Sequence, residues 1–235
     1  WLPTGPLSVL PVHAAGRQGA DTVLDRVISS YTPTVRALLH ARRRTPPGHT
    51  RPLVAAVPTV PGMHPLTCAE AEAGTVARAL GAEPMLGEAA TAATIRTALA
   101  SATHAHFACH AVTDPQDPGL SHLMVTGGRL SVRDLAPVVA AEGYLAYLSA
   151  CSTAFGGTEL LDESVHIAST LHVAGFPHVV GTLWRVDDDA AAQVAVAFYE
   201  ALTAGHDPAA ALHEVLRGLR GGDPGGWAAH VHVGP

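Results

Sequence analysis

Apolar residues fall along this chain in short unbroken runs, separated by longer stretches that repeat with a helical period. Residues 53–57 read Leu-Val-Ala-Ala-Val and are closed by Pro58, with Pro61-Gly62 just beyond. Strands are also expected over 104–110, 145–150, 178–183 and 230–233. A run without polar alternation is what a strand covered on both faces shows, as in a parallel sheet. A further strand is expected over 7–12, closed by proline.

The intervening stretches carry helix punctuation. Thr32 caps and Pro33 opens a helix expected to run to about Arg44, where Thr45-Pro46-Pro47-Gly48 stops it. Thr67 and Glu70 stand at capping-box spacing before an alanine-rich stretch ended by Gly81. Helices are also expected over 91–100, 131–139, 162–174, 187–202 and 208–219, the first two opened by Thr91 and Ser131. Leu123-Met124-Val125 and Arg129-Leu130-Ser131, split by Gly127-Gly128, predict a hairpin. Strands alternating with helices predict one α/β domain over 1–235, built on a mostly parallel central sheet with helices on both faces. The chain opens on Trp1 rather than a methionine, so it is expected to be the C-terminal part of a longer one.

Composition narrows the classes. Of the 235 residues, 48% are hydrophobic and 14% charged, which favours a sizeable core over disorder. The net charge is -6 and every basic residue is an arginine, so no nucleic-acid partner is expected. Arg42-Arg43-Arg44 reads as a complement to the negative end of its helix. The three cysteines (68, 109 and 151) do not form a disulfide framework in a chain this long. A reduced, cytoplasmic setting fits them, and no apolar run is long enough to cross a membrane.

In open α/β sheets, ligands bind beyond the carboxyl ends of the strands. Two predicted strands end in reactive side chains: Phe107-Ala108-Cys109-His110 and Leu148-Ser149-Ala150-Cys151. If those strands are parallel neighbours, His110 and Cys151 emerge on one rim. A thiol beside an imidazole is the minimum equipment for nucleophilic catalysis, although the residues alone do not prove the pairing. Cys109, one position before the histidine, is expected on the opposite face, in the core. His106 shares the face of His110 but lies deeper in the strand. Cys68 reads as structural. His104, His106 and His110 make an evenly spaced row, yet no helical His-x-x-x-His and no Cys-x-x-Cys accompanies it, so no metal is expected.

The segment His106-Phe107-Ala108-Cys109-His110 and its Asp-Pro loop resemble the histidine motif of CHAT domains, which are caspase-like cysteine peptidases related to separase and gingipain. Leu148-Ser149-Ala150-Cys151-Ser152-Thr153-Ala154 resembles their nucleophile motif. Asp162-Glu163, Ala174-Gly175-Phe176 and Gly181-Thr182-Leu183-Trp184 fit the same pattern, as do Leu10 to Gly16 and the stretch from Trp227 to Pro235. The resemblance implies a caspase-like fold and hydrolysis of a protein or peptide substrate without a cofactor. By carry-over, Cys151 is the nucleophile, His110 the general base and acid, and the backbone N–H groups of Ala111 and Cys151 hold the oxyanion. A glycine commonly follows the histidine in this family. Ala111 keeps the N–H, and its methyl adds no strain provided the backbone there has φ below zero.

Asp188 stands where separases carry an acidic residue after a Leu-Trp segment, which implies selection of a basic P1 side chain. The competing reading is that Asp187, Asp188 and Asp189 simply charge a helix start. CHAT domains also accompany helical repeats such as TPRs, which would serve as a fused or associated sensor. Two other readings stay open at this point: a catalytically silent CHAT-like interaction module, and a thiol-dependent transferase or small-molecule hydrolase.

Overall fold

The computed structural model describes residues 1–17, 21–114, 116–149 and 164–235. In chain order these form α1 (Val35–Ala41), β1 (Pro52–Ala56), α2 (Ala69–Leu80), β2 (Met85–Leu86), α3 (Ala92–Leu99), β3 (His104–Ala108), β4 (Ala111–Val112), β5 (His122–Val125), β6 (Gly128–Ser131), α4 (Val132–Leu135), β7 (Leu145–Leu148), α5 (Ser164–Ala174), β8 (His178–Thr182), α6 (Asp188–Thr203), α7 (Pro208–Leu219), α8 (Pro224–Trp227) and β9 (His230–Val233).

The central sheet has six strands in the order β2-β1-β3-β7-β8-β9, all parallel except β9, which runs antiparallel to β8. The strands read as the sequence predicts because both faces are covered. On one face Phe107, Cys109, Ala146 and Leu148 pack with Ile95 and Leu99 of α3 and with Ile167 and Leu171 of α5. On the other, Val54, Ala56, Leu145 and Tyr147 meet Val76 of α2, Phe198 of α6 and Leu212 of α7. Among the described residues no helix is long and apolar enough to cross a membrane.

Several expectations are corrected. Residues 7–12 do not form a strand; the chain there makes the 3-10 turns Gly5–Val9 and Val12–Ala14. Proline fixes φ near −65° and removes donors that a strand needs, which suits such turns. The first helix begins later and ends earlier than expected, with Thr34 as its cap, accepting from Ala37 N at 3.0 Å. Arg44 does not serve that helix end. Its guanidinium donates to the carbonyls of Ala140 (3.2 Å), Ala141 (2.6 Å) and Gly175 (3.3 Å). Gly175 has φ +122, and a Cβ there would lie 2.4 Å from Ala140 O, so only glycine fits. The helix after Ser131 stops at Leu135, two residues short of Pro137. The short strands β2 and β4 carry too few residues to show a period.

Histidines are spent on tertiary structure to an unusual degree. Ser30 Oγ donates to Gly234 O (2.8 Å) and so accepts from His232 Nδ1 (2.8 Å). His232 Nε2 then accepts from His178 Nδ1 at 3.0 Å. This directed chain ties the N-terminal segment to β9 and β8. It holds only while His232 is neutral, because its Nε2 must keep the lone pair that accepts.

Burial lowers His13, His104, His178 and His230 to about 4, and His232 well below its ordinary value; Asp207 opposes this in part at His178. Unfolded, each would protonate near pH 6.5. Below that pH the unfolded chain therefore binds more protons, and stability falls as pH drops toward 4. Each group contributes at most about 1.4 kcal/mol per pH unit. Urea midpoints followed by circular dichroism should be flat above pH 7 and fall steeply between about pH 6.5 and 4.5. His104→Gln should make that decline shallower.

Candidate active site

β3 pairs in parallel with β7, with Phe107 opposite Leu148, so both strands deliver the chain to one rim of the sheet. His110 lies two residues beyond the end of β3. It is 3% exposed, and its ring is held by the loop between β1 and α2: Nε2 lies 2.8 Å from His64 O. A carbonyl only accepts, so Nε2 carries the proton. Nδ1 is left as the lone-pair nitrogen, buried and without a partner among the described residues.

The loop that supplies this carbonyl is built by local chemistry. Val57 N donates to Ala108 O (3.0 Å), which ties its start to the end of β3. Val60-Pro61-Gly62-Met63 is a turn closed by Met63 N to Val60 O at 3.1 Å, with Gly62 at φ +80. Proline then glycine at the two central positions is the type II pattern. Leu66 N returns to Pro58 O at 2.8 Å, and His64 sits inside the closed loop. The Pro-Gly pair was visible in the sequence as a turn. That a carbonyl two residues on would hold His110 was not, because every residue carries one.

Ala111 opens β4 opposite Leu123 of β5. Met124 N donates to His110 O (2.8 Å), so the Ala111–Leu123 pair is of the non-hydrogen-bonded kind and the Ala111 N–H points away from β5. No described non-glycine residue has positive φ, so the alanine methyl strains nothing here.

Asp188 is half-buried at the first turn of α6. Its Oδ2 accepts from Cys68 N (2.7 Å) and from Thr67 Oγ1 (3.3 Å), at the start of α2. The capping box expected between Thr67 and Glu70 is thus replaced by a carboxylate from another helix. Asp188 and His110 are brought to the two ends of one short segment, 64–68. Cys151 lies outside the described residues.

The rival groups occupy other places. His106 is buried under α2 and α6, its Nε2 3.0 Å from Glu72 Oε1, a close contact without hydrogen-bond alignment. Its ring stacks on Tyr147 at 5.3 Å and meets Tyr199 edge-on at 5.4 Å. Burial, then the Glu72 charge, raises both phenols well above their usual value. Cys109 faces the opposite layer, and burial followed by Glu72 pushes its thiol up to about 12, which leaves it unreactive. Among the described residues no three His, Cys, Asp or Glu side chains gather to hold a metal ion.

Two open clefts lie farther along the same rim. One of about 1010 Å³ and one of about 480 Å³ share Trp184, which follows β8, and Trp227, which precedes β9. Trp184 Nε1 donates to Gly225 O at 2.8 Å, which fixes the indole between them.

The structure resembles two solved structures of an Arg-specific cysteine proteinase, gingipain R (RgpB), one of them a complex of the Porphyromonas gingivalis RgpB pro- and mature domains. Both superpose with a TM-score of 0.56 over 87% of this chain, at 7% identity for the complex and 6% for the other. The chain spans about half the length of those proteins, 54% and 52%. At that identity the likeness shows the fold, which is the caspase-like arrangement of these cysteine peptidases. No curated protein matches in sequence. The pattern that defines the CHAT domain matches residues 1–235, and the chain belongs to that family.

Proposed function

We propose that this chain is a cysteine endopeptidase acting through a dyad of Cys151 and His110. The observation that carries the reading is the His110 ring on the rim where β7 ends, its Nε2–H spent on His64 O and its Nδ1 left over. Cys151 follows Leu148 at the same interval as His110 follows Phe107, and those two strand residues are paired.

In this reading, His110 Nδ1 takes the Cys151 proton, and the thiolate attacks the scissile carbonyl. The imidazolium, steadied by His64 O, gives its Nδ1 proton to the leaving amine as the thioester forms. The same nitrogen then activates water, which cleaves the thioester and releases the acid. The backbone N–H groups of Ala111 and Cys151 hold the oxyanion; the orientation of Ala111 away from β5 supports its part. The Asp188 carboxylate selects a basic P1 residue; Oδ2 is engaged with α2, so Oδ1 is the oxygen that faces the substrate cation.

A peptide-library cleavage assay tests the dyad. Cys151→Ala should abolish turnover, and His110→Ala should lower kcat/KM by about 10²–10⁴-fold. Persistent cleavage by Cys151→Ala would end the reading, as would a Cys151 that no peptidyl electrophile labels. The oxyanion donor is tested separately. Ala111→Pro removes the N–H and should lower kcat by roughly 10²–10³-fold, with folding verified by circular dichroism.

A further inference from the structure

We infer that Asp188 is a positioning residue for His110, acting through the loop between β1 and α2. The inference builds on the peptidase reading only for its kinetic consequences; the mechanical link stands without it. His110 is oriented by a carbonyl on that loop, His64 O, at 2.8 Å. A loop carbonyl orients a ring only if the loop itself is fixed.

The near end of the loop is fixed by the sheet, through Val57 N on Ala108 O. Its interior is closed by Leu66 N on Pro58 O, and Leu66 packs against the core layer beneath α2. The far end, where the loop becomes α2, has no cap of its own: Cys68 occupies the N-cap position and its side chain makes no capping bond. That end is held by Asp188 Oδ2, which takes the Cys68 N–H at 2.7 Å and the Thr67 hydroxyl at 3.3 Å. Bonds to a carboxylate are the stronger kind, and this carboxylate also sits at the positive end of α2.

The segment from His64 to Cys68 is therefore stretched between two side chains from distant parts of the sequence. One is the ring it orients; the other is the acid that anchors it. Without the Asp188 acceptor, the packing of Leu66 keeps the loop folded, but its far end is free to shift. A shift of the His64 carbonyl releases Nε2–H and lets the ring turn or change tautomer. A misplacement of about an ångström at such a site can cost on the order of 10²-fold in rate.

The test follows His110 directly in the full chain. Histidine ¹⁵N spectra of the Cys151→Ala protein, with His110→Gln for assignment, report the tautomer and the exchange of the Nε2 proton. Asp188→Ala should speed that exchange about 10-fold or more and mix the tautomers, the loss of one strong hydrogen bond. Asp188→Asn keeps an acceptor oxygen without the charge and should restore most of the signal. An unchanged His110 signal in Asp188→Ala, in a protein with native circular dichroism, overturns the inference.

Kinetics in the Cys151 background separate positioning from selection. Positioning requires Asp188→Ala to lower kcat on substrates cut after uncharged as well as basic residues, and Asp188→Asn to recover it on those cut after uncharged residues. If both variants lose only turnover after basic residues, and His110 is unmoved, Asp188 is a selector alone and the inference falls while the peptidase stands. If the His110 signal moves but no Cys151-dependent cleavage is found, the anchor stands and the peptidase reading falls.

Discussion

The parallel pairing of β3 with β7 is the constraint on which the site depends. Phe107 faces Leu148 across that ladder, and both strands are buried on both faces. Parallel neighbours end on the same side, so whatever follows Ala108 and Leu148 is gathered at one rim without any special loop design. Had β7 run the other way, the residues after its last position would have emerged at the opposite edge. Strand direction is in turn imposed by the crossover through β4–β6 and α4. The three-stranded ladder packs Leu123 and Leu130 into the layer that also holds Leu135. The accessory hairpin thus does two things: it returns the chain for a parallel strand, and it turns the Ala111 N–H away from β5.

Alternation across the same strands sorts reactive groups from inert ones. Cys109 and His110 are consecutive, yet the thiol enters the apolar layer beneath α3 and α5 while the imidazole reaches the loop above the rim. His106, on the face opposite Cys109, is committed to a buried polar group with Glu72, Tyr147 and Tyr199. The negative charge of Glu72 reaches both layers, raising the Cys109 thiol and the two phenols alike. Low dielectric makes one buried carboxylate felt across the sheet.

How much of this was legible in the sequence depended on which interactions are local. The strands at 53–56 and 145–148 were readable because two-sided burial demands uninterrupted apolar residues. Thr91 and Ser131 cap their helices as their positions suggest, since a cap bonds to N–H groups two or three residues away. The failures are cases in which the partner is distant. Residues 7–12 carry a strand-like composition, but prolines 6 and 11 suit them to 3-10 turns instead. Arg44 sits at a helix end, yet it satisfies carbonyls near residues 140 and 175. His64 could not have been singled out at all, because its contribution to the site is its carbonyl.

Asp188 shows the limit most sharply. Three aspartates before an alanine-rich helix invite a reading from their own helix, whose positive end they stabilise wherever they point. That term is real, but it does not distinguish the three. Asp187 occupies the N-cap position and makes no side-chain cap bond. Asp188 instead reaches the start of a second helix, because α2 and α6 lie side by side with their N-termini at the same rim. Two positive helix ends facing one another repel unless a negative group lies between them, and one carboxylate can serve both. A group placed there for that reason is also within reach of the loop that enters α2, and so of the carbonyl that orients His110. Helix packing, loop anchoring and ring orientation meet at a single side chain, and the sequence around position 188 contains only the first helix's share of them.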